Sequence, residues 1–438
     1  MPAPGPEQPP TATTEVSTTL AEVVASERLR IVATLIRTTG DWDLAKDSFH
    51  DAVTRALTTW PERGIPDNPG AWLTTVAKNV AIDALRKATT ERKATKRHAH
   101  ELTDTPEEET TMPDDTIDDD RLRLIFTCCH PALALENRVA LTLRTVLGLS
   151  VAETAHVFLV SEQTMQKRLV RTRAKIRSAN IPYRVPPPHL LPERTAGVLA
   201  VLYLLFTEGY SSGSGSDLIR PALADEAIRL TRLVAQLMPH QPEVLALLAL
   251  ELFQHSRAAA RLDAAGDLVL LEDQDRSLWN SDAIIEGSRM LTAAEKTLHL
   301  LGAGPGPFLL QAQIAAEHAT APTAAATNFA RIATLYARLS QVAPSPIVDL
   351  NRAIAVAFSE GPDAGLALLD TLTLDAHLGE YHLLHATRAD LLRRAGRSAD
   401  ALPHYRRALE LAPSDPERRF LQSRIDQGLY SNPSPGSE

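Results

Sequence analysis

The chain has 438 residues, a formal net charge of −9 at pH 7 and only 5% aromatic residues. This length predicts two or three domains rather than one core, and the abundance of Ala and Leu favours helices. The longest apolar run, residues 195–206, is shorter than the roughly 18 residues of a membrane span. The Pro- and Thr-rich residues 1–23 lack the apolar part of a signal peptide. We therefore expect a cytoplasmic protein with a disordered N-terminal tail.

The first structured part is predicted over residues 24–96, where apolar residues recur at helical spacing. The segment 71–87, AWLTTVAKNVAIDALRK, has a predicted apolar side made of Trp72, Leu73, Val76, Val80, Ile82 and Leu85. Its polar side is a candidate binding face, with the members Lys78, Asn79, Asp83, Arg86 and Lys87. The Pro- and Gly-rich stretch 61–70 that precedes this helix is predicted to be a rigid loop.

Charge changes abruptly after the first domain. Residues 78–97 include seven basic and two acidic residues, a balance of +5, whereas residues 101–120 include ten acidic residues and no Lys or Arg. A block of like charge repels itself and stays extended. We predict that residues 97–119 form an acidic linker between two helical domains.

The second helical domain, predicted over residues 120–179, contains two short helices joined by a tight turn. Ser150 and Glu153 have the spacing of a capping box, and Ser161 is a candidate cap for the helix that runs to about Arg177. The predicted core residues of that helix are Met165, Leu169 and Ile176. This pattern is typical of a helix-turn-helix, whose second helix lies in the DNA major groove.

The second helix of this motif is basic and has a polar first turn. Between Glu162 and Arg177 it has six basic residues and one acidic residue, again a balance of +5. The residues assigned to bases and phosphates of a DNA duplex are Gln163, Thr164, Gln166, Lys167, Arg168, Arg171 and Arg173. A solvated basic face is the alternative, but the cap, the turn, the core spacing and the polar first turn together favour DNA binding. The negative net charge is no objection, because local charge governs contact with DNA.

Two adjacent cysteines, Cys128 and Cys129, are followed by His130. A structural zinc site needs about four ligands with spacers between them, and no second Cys/His cluster accompanies this one. The favoured interpretation is a pair of buried cysteines on an amphipathic segment, because a free cysteine behaves as a small hydrophobic residue. We expect no metal site and no cofactor.

Three segments of these two domains resemble the extracytoplasmic-function (ECF) sigma factors of the sigma-70 family. They are DWDLAKDSFHDAVTRALTTW, WLTTVAKNVAIDALRK and LTLRTVLGLSVAETAHVFLVSEQTMQKRLVRTRAKI. The resemblance implies a promoter-specificity subunit of RNA polymerase, in which region 2 opens the −10 element and region 4 reads the −35 element. It implies that residues 41–60 bind core polymerase, and the acidic residues assigned to this contact are Asp43, Asp47 and Asp51. It also implies that residues 61–70 capture an extruded base and that Lys78, Asn79, Asp83 and Arg86 face the −10 element.

A Pro-rich hinge is predicted at residues 180–191, followed by a helical extension over 192–429 and a disordered tail over 430–438. Part of the extension has the spacing of a tetratricopeptide unit, at Ala389, Leu392, Ala401, Tyr405, Ala408 and Pro413. A degenerate copy precedes it, at Ala353, Gly365 and Leu369. Stacked units of this kind bury a continuous core and leave a concave surface for a partner. A helical domain without a partner is the alternative.

Two further segments of the extension stand out, at residues 203–215 and 270–280. The second places Asp273, Asp275, Arg276 and Trp279 close together. They form either a contact site for the extension or a capped, ion-paired corner, and the corner is favoured. Both segments resemble the sigma-factor subgroup with a tetratricopeptide-like C-terminal extension. That resemblance implies that the extension controls or supports sigma activity from within the chain. We predict that it does so by intramolecular contact with the sigma domains or by docking on polymerase.

The sequence therefore predicts an all-α protein with two small sigma domains and a helical, tetratricopeptide-like extension. The leading hypothesis is a sigma factor that binds core RNA polymerase and promoter DNA. The alternative is a polymerase-independent helix-turn-helix regulator whose repeat domain binds a partner or ligand. An enzyme is not indicated, because the sequence has no Gly-rich phosphate loop, paired metal motif or nucleophile elbow.

Overall fold

The computed structural model describes residues 12–96, 119–158, 160–210, 221–263, 266–372 and 379–430. Over these ranges the chain is helical, and its sheet-like pairing is one isolated bridge between Leu262 and Leu268. The all-α prediction is confirmed. None of the described helices is long and apolar enough to cross a membrane. The chain divides into two compact units, Met1–Val198 and Leu199–Glu438, and the helix Leu191–Tyr210 contains the boundary between them.

The first unit has seven α-helices before that boundary helix within the described residues. They are α1 (Ala12–Thr39), α2 (Trp42–Arg63), α3 (Pro69–Lys96), α4 (Asp120–Cys128), α5 (Leu135–Leu141), α6 (Val151–Val157) and α7 (Glu162–Ser178). A π-helix, Thr142–Leu147, continues directly from α5. The boundary helix, Leu191–Tyr210, is α8.

The loop predicted over residues 61–70 is shorter than expected at both ends. Helix α2 continues through Pro61 to Arg63, and α3 begins at Pro69. Pro61 lies in the last turn of α2, where its missing N–H removes a single helical hydrogen bond, and Pro at a helix start is favourable because its φ suits the first turn. Gly64 ends α2 with a φ of 83°.

The predicted apolar side of α3 is only partly correct. Leu73 is fully buried, but the larger predicted core residues Trp72, Val76, Val80, Ile82 and Leu85 are half-buried. The residues buried with Leu73 are instead Ala77 and Ala81, one and two turns further along. Small side chains at this four-residue spacing let α3 approach α1 and α2 closely, so the larger side chains lie at the margin of the contact.

The second unit continues as a succession of helices. They are α9 (Pro221–Leu237), α10 (Pro242–His255), α11 (Ser281–Leu301), α12 (Pro307–Ala319), α13 (Phe329–Val342), α14 (Pro346–Glu360), α15 (Pro362–Leu372), α16 (His382–Arg394), α17 (Ser398–Leu411) and α18 (Asp415–Tyr430). Helices α14 to α18 share one hydrophobic core.

The tetratricopeptide spacing corresponds to the pair α16 and α17. The predicted packing residues Ala389, Leu392, Ala401, Tyr405 and Ala408 are all buried. The degenerate copy corresponds to the pair α14 and α15. A Cβ on Gly365 would lie 2.5 Å from the Cβ of Ala357 and 2.8 Å from the carbonyl oxygen of Ala353, so only glycine permits this close approach.

Several predicted segments lie outside the described residues. They include residues 1–11 of the N-terminal tail, residues 97–118 of the acidic linker, residues 211–220 and the tail after residue 430. The other residues of the predicted disordered tail, 12–23, belong instead to α1, where Val16 and Leu20 are buried. The last linker residue, Asp119, is described and caps α4 by accepting a hydrogen bond from the backbone N–H of Arg121.

Candidate nucleic-acid interface

The helix-turn-helix has the local geometry that its sequence predicts. The backbone N–H of Glu153 donates to the Ser150 hydroxyl at 3.0 Å, and the N–H of Ser150 donates to the Glu153 carboxylate at 2.6 Å, which completes the capping box of α6. Ser161 caps α7 by accepting from the N–H of Thr164 at 3.2 Å. Both predicted caps are confirmed, and they fix where the two helices begin.

Helix α7 divides into a buried side and an exposed side. The predicted core residues Met165, Leu169 and Ile176 are buried, together with Thr172. The exposed candidates for DNA contact are Gln163, Thr164, Gln166, Lys167 and Arg171. The Thr164 hydroxyl lies 2.8 Å from the Ser161 hydroxyl, so it belongs to the cap.

Arg168 and Arg173, the remaining candidates on α7, are partly covered by the protein. The Arg168 side chain is 22% exposed, lies 3.4 Å from the Glu136 carboxylate and stacks over the Phe158 ring. The Arg173 side chain is only 14% exposed and forms an ion pair with Asp43 of α2. One predicted DNA contact is therefore paired with one predicted polymerase contact.

That ion pair is part of a wider contact between α1–α2 and the helix-turn-helix domain. The Arg28 guanidinium donates to the carbonyl oxygens of Thr145 and Val146, each at 3.2 Å. Arg37 forms an ion pair with Asp120 at 2.8 Å. Within the described residues, both predicted sigma domains therefore belong to one compact unit.

A residue of the predicted hinge also joins this contact. The hydroxyl of Tyr183 donates to the carbonyl oxygen of Ala33 on α1 at 2.8 Å. Burial raises the pKa of Tyr183 above its ordinary value, so the phenol remains protonated and is a donor.

The π-helix and the glycine that follows it shape the Arg28 contact. The two carbonyl acceptors belong to the last turn of the π-helix, whose terminal carbonyl groups lack helical donors. Gly148 ends this helix with a φ of 85°, and a Cβ there would lie 2.5 Å from Cζ of Arg28. A side chain at position 148 would therefore have to displace the guanidinium, and the left-handed φ is a second reason why glycine suits this position.

The candidate face of α3 is more open. Asn79, Asp83, Arg86 and Lys87 are exposed, and Lys78 is half-buried. The Arg86 and Asp83 side chains are 77% and 75% exposed and approach each other to 3.7 Å, a weak surface pair. The face presents both charges and an amide to solvent.

The acidic residues assigned to polymerase contact form one stripe. Asp43, Asp47 and Asp51 recur every four residues along α2, and all three are exposed. Residues at this spacing lie on the same side of a helix. Leu57, further along α2, is 50% exposed.

The adjacent cysteines are buried, as predicted. Cys128 ends α4 and Cys129 follows it, and the Cys129 sulfur lies 3.7 Å from the Thr142 hydroxyl. Burial raises the pKa of the Cys129 thiol to about 11 and that of Cys128 in the same direction. Both thiols are therefore protonated at neutral pH and are poor nucleophiles.

The segment around Trp279 has the geometry of a corner. Asp275 caps a short 3₁₀ turn by accepting from the N–H of Ser277 at 2.9 Å. Arg276 stacks over the Trp279 ring at 4.3 Å and donates to the carbonyl oxygens of His318 and Ala321, each at 2.9 Å. Arg276 therefore donates to backbone carbonyl groups, whereas the sequence suggested an ion pair. Asp273 lies in the turn that leads into the corner, and its N–H donates to the carbonyl oxygen of Leu270.

The residues that join the two domains, Arg28, Arg37 and Tyr183, were not predicted from the sequence. Arg28 and Arg37 lie on α1, to which no function was assigned, and Tyr183 lies in the predicted hinge. Each acts over more than 80 residues of separation. Neither capping nor helical periodicity carries a signal at that distance, because both are local patterns.

Comparison with known proteins assigns the four parts of the chain. Residues 23–91 match the model of sigma-70 region 2, and residues 123–176 match that of sigma-70 region 4. Residues 194–295 match a family of unknown function, DUF6596, and residues 383–425 match a tetratricopeptide repeat. The DUF6596 match covers both segments of the extension, 203–215 and 270–280, that stand out in the sequence.

Two relatives extend this comparison. An uncharacterized protein of Rhizobium meliloti (strain 1021) is 40% identical over 420 residues, which cover 95% of this chain and 97% of that protein. The ECF RNA polymerase sigma factor BldN of Streptomyces coelicolor is 32% identical over 138 residues, which cover 31% of this chain and 49% of BldN. Together with the matches to regions 2 and 4 and to the repeat, these relations place the chain in the sigma-70 family, as an ECF-like sigma factor with a tetratricopeptide extension.

Proposed function

We propose that the chain binds core RNA polymerase and directs it to specific promoters, with region 2 on the −10 element and region 4 on the −35 element. The observation that carries the proposal is the exposed acidic stripe Asp43, Asp47 and Asp51 in the same unit as a capped helix-turn-helix. A regulator that acts without polymerase needs only the helix-turn-helix. The stripe gives the chain a second surface of opposite charge.

The −10 face in this proposal is the exposed side of α3. Arg86 and Lys87 supply cations for phosphates, and Asn79 supplies an amide for hydrogen bonds to bases. The five residues of the loop between α2 and α3, Gly64 to Asn68, supply the capture site for an extruded base. Extruding a base costs a few kcal/mol, so a preformed loop and phosphate contacts are needed to offset it.

The −35 face is the exposed side of α7. Gln166 and Lys167 supply donors for base edges, and Arg171 supplies a phosphate contact. Arg173 reaches a phosphate only after it leaves Asp43, because its side chain is 14% exposed in the present arrangement. Binding of polymerase to Asp43 and binding of DNA to Arg173 both favour separation of this pair.

Transcription in vitro with core polymerase on a promoter library tests the proposal. The test variant carries Asp47→Asn and Asp51→Asn, which neutralise the stripe and leave the Asp43–Arg173 pair intact. Its control carries Glu15→Gln and Glu22→Gln, which remove two exposed acids of α1. We expect the first variant to lose most of its promoter-directed transcription and the control to retain it. Equal transcription by both variants would contradict the assigned polymerase surface.

We further propose that the extension controls or supports sigma activity from within the chain, because a tethered domain acts at high effective concentration. Its test is a chain that ends after Tyr210 and therefore keeps α8. Arg194 of α8 donates to the carbonyl oxygen of Phe126 at 2.8 Å, and Val198 is buried, so a shorter chain would disturb the sigma unit itself. We expect promoter-directed transcription to change several-fold in a truncated chain whose helical content matches that of the sigma unit. An unchanged rate would remove the proposal.

A further inference from the structure

A cavity of about 300 Å³ lies within the second unit, between α8, α10, α12, α13 and α14. This volume is at the lower end of the range for pockets that bind small molecules. It is about twice the roughly 150 Å³ that suffices for benzene in an engineered protein cavity. The space therefore suits a molecule of one or two rings.

The walls of the cavity are aromatic. Tyr203, Phe253, Trp279 and Tyr336 line it from four different segments of the unit. Aromatic side chains favour a flat ligand, because they offer stacked and edge-to-face contacts over a large apolar area. Aliphatic residues such as Leu250 and Ile314 complete the lining.

Hydrogen-bond donors are concentrated among these walls. Trp279 is 6% exposed, and its indole N–H has no hydrogen-bond partner among the described residues. Burial raises the pKa of Tyr336 to about 12, so its phenol stays protonated and is a donor. The amides of Gln254 and Asn351 also line the cavity. A buried N–H without an acceptor is unfavourable, so the Trp279 indole favours a ligand that carries an acceptor.

The charge of the lining favours an anion. Arg257 lines the cavity, and Arg276 lies just behind Trp279, over whose ring it stacks at 4.3 Å. Among the described lining residues there is no Asp or Glu. A guanidinium has five N–H donors, so it can bond to more than one acceptor at a time. An aromatic cage for an organic cation would instead require a neutral or acidic surrounding.

The imidazole of His318 lines the same cavity and adds no charge to it at neutral pH. Burial, then the neighbouring Arg257 and Arg276, lower the pKa of His318 to about 4. At pH 7 it is therefore neutral, and it adds a polar group without a second buried charge. The Glu251 carboxyl is buried and accepts from the Thr231 hydroxyl at 3.1 Å, and burial raises its pKa well above the ordinary value, which disfavours a negative charge there.

We propose that this cavity is a binding site for a small aromatic carboxylate, whose rings lie among Tyr203, Trp279 and Tyr336 and whose carboxylate accepts hydrogen bonds from Arg257 and the Trp279 indole. The proposal does not depend on promoter recognition, because the site lies within the second unit and binding is measured without polymerase or DNA.

The test is titration calorimetry of the full chain with three probes of equal ring size: 2-naphthoate, 2-naphthamide and 2-naphthylmethylammonium. We expect 2-naphthoate to bind at least tenfold more tightly than the neutral and cationic probes. A preference for the amide or the cation, or no binding of 2-naphthoate at 1 mM, would overturn the proposal.

Variants of the lining residues test whether the probe binds in this cavity. Arg257→Gln is expected to reduce the preference for the carboxylate over the amide to less than about threefold, and Arg257→Lys to retain most of it. Arg289→Gln, on the exposed side of α11, is the control of equal charge change. Ala315→Phe fills the cavity and is expected to abolish binding. If Ala315→Phe does not fold, Trp279→Phe replaces it, and its expected effect is a loss of at least fivefold in affinity for 2-naphthoate. Wild-type affinity and charge preference in the Arg257→Gln chain would overturn the assignment.

Discussion

Helices α3 and α7 have similar charge, but their basic side chains differ in how far they are accessible to DNA. Residues 78–97 and 162–177 each have a balance of +5. On α3, Arg86 and Lys87 are exposed to solvent. On α7, by contrast, Arg168 is held near Glu136 and Phe158, and Arg173 is paired with Asp43. Among the described side chains, two cations of α3 are therefore open to solvent, whereas two arginines of α7 are partly engaged by the protein.

This difference shows that the net charge of a helix predicts its attraction to DNA. It does not predict the free energy lost when the side chains must first leave partners within the protein. A cation on α3 exchanges water and counterions for phosphate. Arg173 must also give up an ion pair, and pairs with an exposed partner contribute about 0.2–1 kcal/mol. The Asp43 side chain is 71% exposed, so the lower half of that range is appropriate. Breaking the Asp43–Arg173 pair therefore adds only a small free-energy cost to DNA binding.

The largest expected effect comes from the glycine beneath Arg28. Gly148→Ala places a Cβ in left-handed backbone and 2.5 Å from Cζ of Arg28, so it should destabilise the first unit by about 2–4 kcal/mol through strain and displacement of the guanidinium. Gly40→Ala is the matched control, because Gly40 has a φ of 65° and open space around its Cβ position. It should cost only the backbone strain, about 1–2 kcal/mol. Urea unfolding measures both, and equal losses would show that Arg28 yields without cost.

The second-largest effect is expected from removing the basic side chains on the exposed face of α3. Replacing Lys78, Arg86 and Lys87 with Ala removes three cations of α3, which should lower affinity for labelled DNA about tenfold or more and reduce the salt slope by about 2–3. The unfolding free energy should change by less than about 0.5 kcal/mol for these mainly surface positions. The control replaces Arg289, Lys296 and Arg338, three exposed cations of the extension. A salt slope lowered as much by the control would mean that α3 is not a DNA-contacting face.

A smaller effect should separate two arginines of α7. Arg168→Ala removes a side chain that stacks on Phe158 at 5.1 Å and lies near Glu136, so it should destabilise the domain by about 1 kcal/mol. Arg171→Ala, at an exposed position of the same helix, should leave stability within about 0.5 kcal/mol. It should weaken DNA binding at low salt more than Arg168→Ala does. The opposite ranking in both assays would remove the distinction between engaged and available cations.

The smallest expected effect is a gain. Asp43→Asn releases Arg173 and should raise the affinity of the free chain for DNA by about 1.5- to threefold, as expected for a pair of this strength. Asp47→Asn, one turn along α2, removes the same charge at an exposed position and leaves that pair intact. Fluorescence titration of labelled DNA without polymerase compares the two chains. If both variants gain equally, the increase reflects general charge and the pair has no separate role.

The sequence predicted those parts of the site that depend on local patterns. The capping box of Ser150 and Glu153 and the cap at Ser161 were predictable, because a cap is defined by residues three positions apart. The buried side of α7 followed from its helical period. The tetratricopeptide pair followed in the same way, since its alanines mark where helices approach closely.

Other features depend on contacts that no local pattern encodes. The π-helix Thr142–Leu147 carries no sequence pattern that separates it from an α-helix, from which it differs in its hydrogen bonds. The burial of Ala77 and Ala81 in place of larger neighbours depends on how closely α3 approaches α1 and α2. The cavity near Trp279 is lined from several helices that are far apart in the chain. Burial and shape of this kind follow from packing, which the sequence determines only as a whole.

The hydrogen bonds from Arg28 to Thr145 and Val146 also limit how this protein can be recombined. A chimera that imports another sigma factor's region 4 would replace the π-helix and Gly148, yet it would retain an arginine on α1 that needs carbonyl acceptors there. The two regions are connected by a long stretch of chain, which suggests interchangeable modules. Their interface instead makes residue 28 and residues 142–148 one unit of exchange. A graft of promoter specificity onto this scaffold therefore has to carry both pieces or rebuild the contact between them.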